Sequence, residues 1–149
     1  MSMFGGMEIS ASALTAQRLR MNVTAENLAN AETTKTADGT PYRRKEVYLE
    51  SVAAKGGFGA QLSKAMGGGS GMAPGGVQAT AITEDATGGK LVYDPSHPDA
   101  NEQGYVTMPN VDTVTEMVDL IDAQRAYEAN VTAMSASKQM FAKTLEILR

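Results

Sequence analysis

The side chains that chemistry would need are present in this chain, but they are poorly placed for it. His97 is the only histidine, and it stands between Ser96 and Pro98 in a polar stretch, so no second imidazole can join it around zinc. Asp94, Asp99 and Glu102 are close by in sequence. They do not follow the calcium-loop spacing, and no bidentate Glu stands at its twelfth position. Asp112, Glu116, Asp119 and Asp122 recur at helical spacing, which would bring a general-acid pair onto one broad face. Near a helix start the same carboxylates stabilise the positive end and face solvent, and that is the reading adopted. Ser and Thr are plentiful, but none lies in a nucleophile-elbow pattern. The glycine-rich middle lacks the Lys-Ser/Thr ending of a phosphate loop. No catalytic, metal or cofactor site is expected, and nothing supports an enzyme.

Asn27 and Asn30 call for another reading. They lie one turn apart in Ala25-Glu26-Asn27-Leu28-Ala29-Asn30-Ala31. Asn is a mediocre helix former whose amide bonds readily to nearby backbone, so the pair marks a helix end held by side-chain amides. The plainer alternative is a pair of solvent-facing polar residues beside a helix C-cap.

The elements that must position these residues follow from periodicity. From Asn110 to Arg149 there is no Pro and no Gly. Met117, Leu120, Gln124, Tyr127, Val131, Met134, Lys138, Phe141, Leu145 and Leu148 recur at steps of three and four, which predicts one long helix of roughly 50 to 60 Å. Pro109 and Asn110 stand before it, and Lys138, Lys143 and Arg149 lie toward its negative end. A second helix is predicted from Glu8 to about Ala31. Met7, Ala11, Leu14, Arg18, Met21, Ala25 and Leu28 form its seam, with Ile9, Ala13, Ala16 and Val23 widening the apolar face. Gly5-Gly6 leaves the first residues mobile unless a partner orders them. Tyr127 and Phe141 are the large aromatic residues of the longer seam and are expected to be buried between helices.

Between the helices the chain reads as a small strand-and-loop section. Asp38-Gly39 with Pro41 makes a turn, Tyr42 to Val52 is extended, and 56–76 is so rich in Gly that fixing it would cost heavily in backbone entropy, as in a flexible insert. Strands follow at Val77 to Thr83, Lys90 to Tyr93 and Tyr105 to Met108, with polar turns between them. The expected fold is mainly α with a small β/loop middle section, the terminal helices forming an antiparallel coiled-coil-like pair. Its segments are 1–31, 32–109 with the glycine-rich insert, and 110–149. The longer seam exceeds the shorter by more than two turns, and self-association or a hetero-assembly would cover the excess.

Composition agrees with a protein that depends on its neighbours. There are three Phe, no Trp and ten Met among 149 residues, so any core is built from small or flexible side chains. Thirteen basic against seventeen acidic residues give a formal charge of −4, which argues against nucleic-acid binding as the main task. The absence of cysteine excludes disulfides and thiolate metal sites. Neither a cleaved secretory leader nor an apolar membrane span is visible.

Two groups of residues carry a resemblance that goes past periodicity. Ile9, Leu14-Thr15-Ala16-Gln17-Arg18-Leu19, the Ala25 to Ala31 segment and Asp38-Gly39-Thr40-Pro41-Tyr42-Arg43 resemble the N-terminal signature of bacterial flagellar rod and hook proteins. Gly104-Tyr105-Val106, Met108-Pro109-Asn110-Val111-Asp112, Glu116-Met117-Val118 and Arg125-Ala126-Tyr127-Glu128-Ala129-Asn130 resemble the matching C-terminal signature. The sequence departs from the usual double-Asn motif at Glu26.

The resemblance implies a structural subunit of the cell-proximal rod of the flagellar basal body. Such a subunit is exported by the flagellar type III apparatus without cleavage and assembled in the periplasm. Its partners would be copies of itself, other rod subunits, the basal-body base and the export apparatus, with no nucleic acid and no small-molecule substrate. Carried onto this chain, the assembly interface falls at Leu14, Met21, Asn27, Leu28, Asn30, Val114, Met117, Leu120, Tyr127, Val131, Met134, Phe141 and Leu145. The rival from another class is a helical-hairpin adaptor that binds one protein and never polymerises.

Overall fold

A computed structural model describes residues 3–52 and 75–147. The glycine-rich stretch 56–76 lies outside them except for Gly75 and Gly76. The element order is α1 (Met3–Ala29), β1 (Lys45–Ser51), β2 (Val77–Glu84), β3 (Lys90–Tyr93), β4 (Tyr105–Met108) and α2 (Thr113–Ile147). Two long helices thus flank a small β section, as the periodicities predict.

The helix boundaries have local causes. α1 starts five residues before the expected Glu8 and runs through Gly5 and Gly6. At its end, Asn30 turns its backbone N–H onto Glu26 O at 3.1 Å and Asn27 O at 3.2 Å, and its side-chain amide onto Glu26 O at 2.9 Å. These bonds close the last turn, which is the role the sequence assigned to a side-chain amide. α2 begins at Thr113 because Asp112 caps it. One carboxylate oxygen of Asp112 accepts from Val114 N at 3.0 Å and the other from the Thr115 hydroxyl at 3.0 Å. The hydrogen bonds to Val114 and Thr115 hold the Asp112 carboxyl below the usual aspartate range.

Among the described residues the strands form two two-stranded sheets, β1 with β2 and β3 with β4. Val52 N reaches Gly76 O at 2.8 Å and Asp85 N reaches Arg44 O at 2.7 Å, so β1 and β2 run antiparallel. In the second sheet Lys90 pairs with Met108, Leu91 with Thr107, Val92 with Val106 and Tyr93 with Tyr105. Alternation places Val92 and buried Val106 on one face, and Leu91, Tyr93 and Tyr105 on the other, where all three are exposed. Two glycines fit this hairpin and its loop. A Cβ on Gly89 would lie 2.1 Å from Met108 O, and Gly104 has φ +81° where the loop returns to β4.

The described residues divide into two compact units. One comprises the described parts of Met1–Arg18, Leu49–Thr80 and Arg125–Arg149, the other Leu19–Tyr48 and Ala81–Gln124. In the first unit, Ser12 Oγ donates to Ile9 O at 2.7 Å and accepts from Val77 N at 3.0 Å, tying α1 to the start of β2. A Cβ on Gly76 would lie 2.3 Å from that hydroxyl. In the second unit, Arg20 on α1 pairs with Asp119 on α2 at 3.2 Å, and Asn27 meets Glu116 at 3.0 Å. Higher numbers on α1 meet lower numbers on α2, so these two segments run antiparallel.

The buried line of each helix differs from the seam expected for it. Along α1 it runs through Ala16, Val23, Thr24 and Asn27, with Ala13 and Arg20 half-buried on the same side, while Ala11, Arg18 and Ala25 are exposed. Along α2 it runs through Glu116, Leu120, Ala123, Tyr127, Asn130, Met134, Ser137 and Phe141. Met117, Gln124, Val131, Lys138 and Leu145 are exposed. The α2 line keeps alternate members of the expected seam and replaces the others by their N-terminal neighbours, a rotation set by the most buried position, Ala123. Ala there lets the helix backbone approach its covering closely, where the longer Gln124 would hold it away.

Candidate assembly surface

A buried polar network of the second unit centres on Asn27, only 2 % exposed. α1 presents it to the first residues of β1. Its amide nitrogen donates to Lys45 O at 2.9 Å and to Glu116 Oε2 at 3.0 Å. Its carbonyl oxygen accepts from the Tyr42 hydroxyl at 2.9 Å and from Lys45 N at 2.9 Å. Two donors and two lone pairs are all that a carboxamide has, and all are used. Asn27 therefore pairs with the Lys45 backbone as a neighbouring strand would, and joins α1, β1 and α2 through one side chain.

Glu116, 1 % exposed, is the second centre. Its other oxygen accepts from Arg44 Nε at 2.6 Å. Arg44 also pairs with Glu46 and approaches Asp119 at 3.7 Å, while Arg20 pairs with the other oxygen of Asp119. The hydrogen bond from Arg44 to Glu116 is the main cause that raises the guanidinium pKa above its ordinary value. The expectation that the α2 carboxylates face solvent is corrected here. Asp112 is a cap and Asp122 is exposed, but Glu116 is enclosed and Asp119 half-enclosed, because two arginines and an asparagine supply the partners that burial demands.

Burial, and secondarily the carboxylates of Glu26, Glu116 and Glu84, push the Tyr42 phenol up to about 12. The protonated phenol is the form that donates to Asn27, so its contribution is complete below the unfolded value near 10 and is lost as pH rises through about 12. In a spectrophotometric titration, Tyr42→Phe is expected to remove a phenolate step near pH 12. The same variant should lose about 1 kcal/mol of stability at neutral pH, since Asn27 Oδ1 keeps only one of its two donors. A step near 12 that survives in Tyr42→Phe would belong to another tyrosine.

The residues expected at an assembly interface are distributed unevenly. Asn27 is buried within the chain. Leu14, Met21, Leu28, Asn30, Leu120, Tyr127, Met134 and Phe141 are half-buried, whereas Val114, Met117, Val131 and Leu145 are exposed. Val118 and Ile121 extend the exposed apolar face at α2's start, which the seam reading had not included. Tyr42, Arg44 and Glu116 were not singled out as a cluster in sequence. The only sign was the place of Tyr42 and Glu116 inside the two quoted signatures. His97 is a loop residue whose Nδ1 accepts from Asp99 N at 3.1 Å. Among the described residues no cluster of His, Cys, Asp and Glu is arranged to hold a metal, and no helix is long and apolar enough to cross a membrane.

Comparison with known proteins gives this arrangement its context. Residues 7–35 match the family model described as flagella basal body rod protein. Residues 102–147 match the one described as flagellar basal body rod FlgEFG protein C-terminal. The two matches take in most of α1 and all of α2, and they define a protein of the flagellar rod class. Over nearly its whole length the chain is 52 % identical to the flagellar basal-body rod protein FlgC of Bacillus subtilis, across 151 residues and 99 % of each chain. It is 42 % identical to FlgC of Borreliella burgdorferi, across 157 residues covering 100 % of this chain and 99 % of that one. FlgC of Salmonella typhimurium is 41 % identical across 147 residues, 99 % and 98 % of the two chains. The chain belongs to the FlgC family of flagellar basal-body rod proteins. It is a structural protein of the rod.

Proposed function

We propose that this chain is a subunit of the cell-proximal rod that polymerises through its terminal helices and transmits torque along the shaft. The observation that carries the reading is the exposed apolar surface of α2. Val114, Met117, Val118, Ile121, Val131, Met140 and Leu145 are 44 to 64 % exposed. Scattered apolar residues are normal on a surface, but Val114, Met117, Val118 and Ile121 follow the i, i+3, i+4, i+7 spacing of a helix face made to be covered. Torque passes through many contacts at once, and long helices offer stiff, repeated interfaces for it. An open helical array also needs contacts that do not close into a ring.

In this reading the functional segments are 1–31, 32–109 and 110–149, with the outer two forming the shaft contacts at the interface positions given above other than Asn27, which the chain itself encloses. The partners are copies of the chain, other rod subunits, the basal-body base and the export apparatus, and the place of assembly is the periplasm. The test is particle mass and helicity across a concentration range, alone and then with the other rod subunits of the same bacterium. Entry into large assemblies on mixing is expected, and a compact monomer that ignores those subunits would leave a non-polymerising adaptor instead. Tyr127→Ala and Phe141→Ala are each expected to weaken incorporation more than they change monomer helicity. Full incorporation of both variants would remove the long seam from the interface.

A further inference from the structure

We propose that the β3–β4 hairpin of one copy docks on the C-terminal half of α2 of a second copy; the inference rests on the assembly reading above and names one of its contacts. The hairpin presents Leu91 and Tyr93, 64 and 65 % exposed, with Tyr105 on the same face. Tyr93 and Tyr105 stand edge to face with ring centroids 5.2 Å apart, so each restrains the other before any partner arrives.

The loop beneath them is equally fixed. Asp94 Oδ1 accepts from Ser96 N at 3.0 Å, Asn101 Oδ1 accepts from Tyr105 N at 2.9 Å, and Asp94 N bonds Gly104 O at 2.9 Å. Rigid exposed aromatics lose little conformational freedom when covered, which is why such residues dominate interface energetics. This loop is also acidic. From Asp94 to Gly104 it holds Asp94, Asp99 and Glu102, and no Lys or Arg.

The second copy carries the complement. Between Glu128 and Glu146, α2 holds Lys138 and Lys143 and no acidic residue. Val131, Lys138 and Leu145 are all exposed, and their seven-residue spacing puts them on one line of the helix. An apolar, cationic ridge fits an apolar, acidic hairpin, with Leu145 against the paired tyrosines and the ammonium of Lys138, about 10.5 Å away along the helix, against the loop carboxylates. The two patches differ, so the contact is heterologous and can repeat from copy to copy without closing.

Because the chain has no cysteine, the contact can be tested by disulfide formation between copies. Tyr93→Cys and Leu145→Cys chains are made separately, mixed, assembled with the other rod subunits and oxidised. Disulfide dimers joining one Tyr93→Cys chain to one Leu145→Cys chain are expected, with little dimer from either variant alone. Assembly without that mixed dimer overturns the contact and leaves the rod reading standing, while no assembly in any mixture overturns both. Dimers formed mainly by Leu145→Cys alone would make the contact symmetric and also overturn it. Lys138→Glu is expected to raise the concentration for half-assembly on the order of tenfold, and adding Glu102→Lys to the same chain should recover most of the loss. No recovery in the double variant would detach Lys138 from the hairpin.

Discussion

Asn27→Asp is expected to lower the free energy of unfolding by about 3–5 kcal/mol at neutral pH, read from urea denaturation followed by circular dichroism. The substitution changes almost no volume, so the loss would be electrostatic. The carboxylate keeps the two acceptor contacts with the Tyr42 hydroxyl and Lys45 N. Its second oxygen replaces an NH2 group that donated to Lys45 O at 2.9 Å and Glu116 Oε2 at 3.0 Å. Both donations become contacts between acceptors, one of them between two carboxylates in a site closed to water. Asn27→Ala avoids the repulsion and leaves orphaned groups instead, so it should cost less. If Asn27→Asp unfolds at the same urea concentration as the parent, the amide is not the joint described above.

Arg44→Met should be nearly as damaging, at about 3–5 kcal/mol, because it leaves Glu116 buried with the Asn27 amide as its remaining partner. The informative comparison is Arg44→Met combined with Glu116→Gln. Once the carboxylate is neutral the arginine has less to do there, so the double variant is expected to be more stable than the sum of the two losses predicts. Arg44 also serves Glu46 and Asp119, and Asp119 retains Arg20, so the recovery will be partial. Strict additivity would show that Arg44 and Glu116 do not depend on each other.

The architecture was legible because each element carries its own punctuation. The four strands lie close to where Tyr42–Val52, Val77–Thr83, Lys90–Tyr93 and Tyr105–Met108 placed them, since turn residues bound every run. α2 begins at Thr113, three residues after the expected Asn110, because the acidic side chain of Asp112 caps it. Helix rotation was less legible. Periodicity weighs Leu and Met most heavily, yet the most enclosed helical positions are Ala16, Val23 and Ala123 together with Thr24, Asn27 and Glu116. A buried Glu and an exposed Glu are the same letter. What separates them is whether Arg44 and Asn27 arrive from residues 72 and 89 positions away, and no local window holds that information. The two family signatures did mark Asn27, Tyr42 and Glu116 as parts of motifs without revealing that the three converge.

The buried line of α2 bears one further consequence. Leu120, Tyr127, Met134 and Phe141 recur every seven residues, a travel of about 10.5 Å along the axis. If α2 slid by that distance, large side chains would arrive where large side chains had been, so apolar burial alone discriminates weakly between one phase and the next. Glu116 occurs once on that line and finds its amide only at Asn27. A shift of one heptad would strand a carboxylate away from water with neither the amide nor Arg44 to meet it. The pair works like the index mark on a vernier: the ridges set the fineness of the scale, and a single polar match says which division is zero.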